Sequence, residues 1–185
     1  RRRRPGSGRI LTTSPMNDDA DPGQDERSGP SAWDTALRLL GVRARSRQEM
    51  LQRLERRGFD PDTIDEVMAR LENHRLLDDA DFAAQWVHSR HTHSGRGRVA
   101  LRHELRAKGI DETTISATLS EVDPEDEREI AANLVARKLT VAMAERAKAD
   151  PAERDKIKRR LLGMLVRRGY PQSMALDVVS EALVG

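Results

Sequence analysis

The sequence predicts an all-α protein: three tandem three-helix repeats forming an elongated curved rod, behind a disordered N-terminal tail. Three observations predict it. From Trp33 onward apolar residues recur at helical spacing, and strand-like alternation is missing. Helix start and stop signals alternate along the same stretch. One apolar pattern recurs around three glycines, Gly58, Gly109 and Gly169.

The tail spans residues 1–31. It holds RRRR, PGSG, DDADPG and SGPS with hardly any apolar residue, so it has little to bury. The Arg1–Arg4 run reads as a solvated segment or an electrostatic nucleic-acid contact. Met16 is a candidate native start.

The first module is placed at residues 32–75. Its opening helix is around WDTALRLL. Ser46 to Glu49 spells S-x-x-E, a capping box in which each side chain satisfies the other end's free amide. Asp60-Pro61 sets an N-cap acid before a proline at the first helical position, as do Asp123-Pro124 and Asp150-Pro151 later in the chain. The second module, residues 76–122, opens on DDADFAAQWVHSR, with Asp78, Asp79 and Asp81 at the helix start favoured by the macrodipole. The third, residues 123–185, opens on EDEREIAANLVARKL, a helix expected to run to about Ala149.

Each module then crosses its glycine. Eight residues before it stands Met50, Leu101 or Leu161, and four before it Leu54, Leu105 or Leu165. One residue after it stands Phe59, Ile110 or Tyr170, with Ile64, Ile115 or Ala175 and Met68, Leu119 or Val179 following at helical spacing. The preceding cations, Arg57, Lys108 and Arg168, suit a helix C-terminus. Glycine suits the left-handed position that closes it. Units this small must pack on their neighbours.

Composition narrows function. The 185 residues are 35% charged and 3% aromatic, with net charge +2 and no cysteine. Disulfide and thiolate chemistry are excluded, and a reducing, cytoplasmic setting fits. No tract is apolar enough for a membrane span. Dense charge of both signs with little net excess means local patches.

The segments LLDDADFAAQWVHSR (76–90), GRGRVALRHELRAKGI (95–110) and SRQEMLQRLERRGF (46–59) resemble the RecX family, regulators of bacterial recombination. The resemblance runs from about Trp33 to the C-terminus and is looser in the third module. It implies a monomeric, non-enzymatic negative regulator of recombination and DNA repair. Such a regulator would bind the RecA recombinase and its filament on DNA, lie in the filament groove, and restrain ATPase, strand exchange and co-protease activity.

The candidate contact residues are cations. Eleven residues before each glycine stands Arg47, Arg98 or Lys158, read as the first turn of the central helix, where the macrodipole disfavours them. Either an acid on a neighbouring helix or a partner compensates. The middle module adds Arg90, Arg96, Arg102, Arg106 and Lys108, and Arg102 stands where the sister modules have Leu51 and Leu162. Arginine forks suit carboxylate and phosphate alike, so RecA, DNA, or both remain open as their target. A helical module acting directly on DNA is the alternative function. His88, His91 and His93 read as a hinge rather than a metal site, and Trp33 and Trp86 as core rather than base-stacking platforms. No phosphate loop, Ser-His-Asp set or carboxylate pair appears, so no enzyme activity, metal or cofactor is expected.

Overall fold

The computed structural model describes residues 29–184. The tail assigned to residues 1–31 therefore lies outside the described residues up to Ser28, and Ser31 already caps the first helix. The described residues form ten helices and no strand. In order they are α1 (Ala32–Val42), α2 (Arg47–Glu55), α3 (Pro61–Asn73), α4 (Asp79–Ser94), α5 (Arg98–Ala107), α6 (Glu112–Ser120), α7 (Pro124–Lys138), α8 (Val141–Ala149), α9 (Pro151–Arg168) and α10 (Gln172–Ala182).

The caps read from sequence are in place. Asp60, Asp123 and Asp150 accept from the backbone amides of Thr63, Glu125 and Ala152. Gly58, Gly109 and Gly169 turn left-handed, at φ 82°, 78° and 89°. The capping box is half made. Ser46 Oγ accepts from Glu49 N, but the Glu49 carboxylate turns to Arg43 and Lys108 instead of the Ser46 amide.

Buried apolar residues fall into three separate clusters, one within α1–α3, one within α4–α6 and one within α7–α10. The residues aligned on the glycines supply their centres. Met50, Leu54, Leu101, Leu105, Leu161 and Leu165 are all fully buried. Leu77 packs into the first cluster, two residues past the boundary expected at 75. Helices of one unit contact each other far more than helices of the next, as expected for units stacked in a row.

The third unit departs from the pattern. Its first helix does not reach Ala149. It stops at Lys138, Leu139 turns extended (φ −80°, ψ 94°), and Thr140 Oγ1 caps a further helix, α8. A threonine followed by β-branched Val141 favours a cap over helix continuation. The unit thus holds four helices. Its central helix α9 starts at Pro151, so Lys158 lies two turns inside it rather than in the first turn. The macrodipole argument therefore does not apply to Lys158.

Candidate partner-binding surface

The units meet by a joint that occurs twice. The C-terminus of α9 faces the N-terminus of α5: the amides of Gly97 and Val99 donate to the carbonyls of Arg168 and Gly169, each at 3.0 Å. The C-terminus of α5 faces the N-terminus of α2 in the same way, where Ser46 Oγ donates to the Lys108 carbonyl at 2.6 Å. The negative end of one helix dipole thus meets the positive end of the next. The approach is close enough to need glycine. A Cβ on Gly169 would overlap the Ala100 backbone, and one on Gly97 would overlap the Gly169 carbonyl.

Each joint is tied by an acid from the first helix of the later unit. Asp79 on α4 accepts from the Arg47 amide at 2.8 Å. Glu127 on α7 accepts from the Arg98 amide at 2.8 Å and from Arg98 Nε at 2.6 Å. Glu127 is fully buried. Gly97 has no side chain to cap α5, so Glu127 supplies that cap from the next unit. This acid also offsets the cost of a cation in the first turn of α5.

The predicted cations are mostly paired within the chain. Arg47 Nε binds Glu72 at 2.8 Å. Arg90 and Arg96 converge on Glu104, at 3.4 and 3.1 Å, and Glu104 also accepts from the Trp86 indole at 2.9 Å. Arg102 and Arg106 share Glu112. Lys108 reaches across the joint to Glu49. Neither Arg98 nor Arg102 bridges to the Asp78–Asp81 cluster. Lys158 alone among the eight has no ion pair among the described residues, and Arg159, Arg160 and Arg167 on the same helix are likewise without one.

Of the acids that organise this surface, Glu104, Glu112 and Glu127 were not singled out from the sequence, and Glu49 and Asp79 were read only as helix-start residues. A signal for two of them is present. DADFAAQWV (79–87) and EREIAANLV (127–135) align without a gap, with Asp79 over Glu127, Ala83 over Ala131 and Val87 over Val135. In the first unit the matching position, four before buried Ala36, is Ala32.

Glu49 stands between two cations at the joint, Arg43 and Lys108. Burial disfavours its charge, but Arg43 and Lys108 overcome that and hold its carboxyl down at about 2. A depressed carboxyl stabilises the folded form above its unfolded pKa and loses that contribution as pH falls through the folded one. The α2–α5 joint is therefore expected to weaken between about pH 4.5 and about pH 2. Acid titration followed by circular dichroism checks this. Glu49→Gln should remove that part of the acid transition, and an unchanged profile would place the acid sensitivity elsewhere.

The histidines do not form a hinge. All three lie within α4, where His91 is buried with Nδ1 2.9 Å from the Arg96 carbonyl. Trp86 is half-buried, stacked on Phe82 at 5.8 Å, with Arg90 and Lys108 over its ring. Trp33 is half-buried under Arg70.

Comparison with known proteins places this architecture. A family model described as the first three-helix domain of RecX matches residues 32–71, and one described as the second matches residues 78–119. The regulatory protein RecX of Mycolicibacterium smegmatis (strain ATCC 700084 / mc(2)155) is 47% identical over 180 residues, covering 96% of this chain and 94% of the relative. The chain belongs to the RecX family. RecX of Mycobacterium sp. (strain KMS) is 44% identical, covering 95% of this chain and 96% of its own. The crystal structure of RecX from Lactobacillus salivarius shares the fold, with TM-score 0.70 at 21% identity over 83% of this chain and 94% of that one. RecX relatives are regulatory proteins by name, and no helix among the described residues is long and apolar enough to cross a membrane.

Proposed function

We propose that this RecX-family protein is a negative regulator of homologous recombination and DNA repair. It binds the RecA recombinase and its nucleoprotein filament and lowers ATP hydrolysis, strand exchange and co-protease activity. The supporting observation is similarity to regulatory RecX proteins along nearly the whole chain, through all three units. A row of units joined end to end suits a helical groove, because contacts can repeat along its length.

The contacts fall to cations that retain solvent exposure. Arg47 and Arg106 are more than half exposed at the side chain, and Arg102 about a third. Lys158 on α9 adds a cation with no ion pair among the described residues. Arg90 and Arg96 flank them on the middle unit, while Arg98 and Lys108 serve the joints first. Ion pairs this exposed are weak enough to exchange for a partner's carboxylate or a phosphate.

Titrating the protein into RecA with single-stranded DNA and ATP tests the reading. DNA-dependent ATP hydrolysis should fall at amounts well below one protein per RecA. Unchanged hydrolysis, together with a salt-sensitive shift of bare oligonucleotides, would favour a direct DNA binder instead.

A further inference from the structure

Gly109 and Gly169 each carry the N-terminus of another helix; among the described residues Gly58 carries none. Gly58 has the same left-handed backbone, yet nothing among the described residues lies within 4 Å of where its Cβ would stand. The residue after each glycine shows the same contrast. Ile110 and Tyr170 are 4% and 2% exposed, whereas Phe59 is only half-buried. The Lys108 and Arg168 carbonyls accept bonds across their joints. No donor reaches the equivalent carbonyl of Arg57 among the described residues. A cavity of about 440 Å³ opens here, lined in part by Pro30, Thr35, Arg57 and Phe59.

We infer that this end of the first unit is a docking seat for the N-terminus of a helix on a partner protein. The chain itself shows twice what covers such a seat. In both cases it is the start of a helix with a small residue, Ser46 or Gly97, against the glycine turn. First-turn N–H groups of the partner helix donate to the free carbonyls, and an early acid, favoured by the dipole, pairs with Arg57. Ala32 stands where Asp79 and Glu127 tie the internal joints, so this seat lacks the buried carboxylate that makes those permanent. That suits a reversible contact. Among the described residues no helix start is left to match this seat: α2 and α5 are already seated, and α9 begins two turns before the aligned position with α8 packed along it.

The inference rests on the filament reading above, with the partner helix belonging to the recombinase. Its test is the affinity of the full chain for RecA assembled on single-stranded DNA, compared for wild type, Gly58→Asn and Arg57→Glu. Asparagine tolerates the left-handed backbone and meets open space at this site, so the fold should be kept. Arg57→Glu probes the same seat without touching the turn. Both variants should melt like wild type and bind at least tenfold more weakly. Wild-type affinity in either folded variant would overturn the seat while leaving the filament reading intact. Absence of binding by wild type itself would overturn both. A wild-type dimer dissociated by Gly58→Asn would overturn the inference in favour of a second copy. A tenfold gain in affinity for Asp25→Asn with Glu26→Gln would overturn it in favour of the chain's own upstream segment.

Discussion

Arg98→Glu is expected to destabilise the protein by about 3–5 kcal/mol, because it leaves a fully buried carboxylate facing a second one. Glu127 holds both the amide and the guanidinium of Arg98, and both atoms belong to the joint between the second and third units. The substitution therefore acts on stacking before it acts on any partner. Arg102→Glu is its contrast. Arg102 is about a third exposed and pairs with an exposed Glu112, so its reversal should cost roughly 1 kcal/mol or less. Urea denaturation of the two single variants separates these outcomes. Equal, small losses would mean that Glu127 finds another partner and that the joint does not depend on Arg98. Reversing Arg98 and Arg102 together is therefore not a fold-neutral test of binding. The structure makes Arg102→Glu the usable half of that pair.

Phe82→Ala is expected to cost about 3–5 kcal/mol in the middle unit, the usual range for a buried phenylalanine. Phe82 is 5% exposed, belongs to the cluster of Leu101, Leu105 and Ile115, and stacks on Trp86. The unit has few residues with which to close the resulting cavity. Trp86 also sits within hydrogen-bonding reach of Glu104, so its indole is held on the polar side as well. Thermal melts monitored by tryptophan fluorescence check this. A near-neutral effect would mean that Trp86 collapses into the gap and that the cluster is softer than its burial implies.

The all-α class, the three glycine turns, the N-caps at Asp60, Asp123 and Asp150, and the paired apolar residues before each glycine were legible in the residues. Each depends on neighbours within about one turn of chain, where dihedral preference, capping and apolar period act directly. The break at Leu139–Thr140 was missed for a related reason. Apolar residues continue through it, and the period outweighed one threonine cap. The fate of the cations was not legible. Whether Arg98 faces a solvent ion, a partner or Glu127, which lies 29 residues away, depends on how one unit sits on the next. That packing is decided by helix ends meeting across a glycine, at separations where no periodicity in the chain carries information. Sequence by itself determined most of the helical residues and the apolar sides that they bury. Tertiary structure decided that the arginines of the middle unit chiefly hold acids of their own chain, because a charge brought near a joint is stabilised by the closest available carboxylate, and the fold sets which one that is.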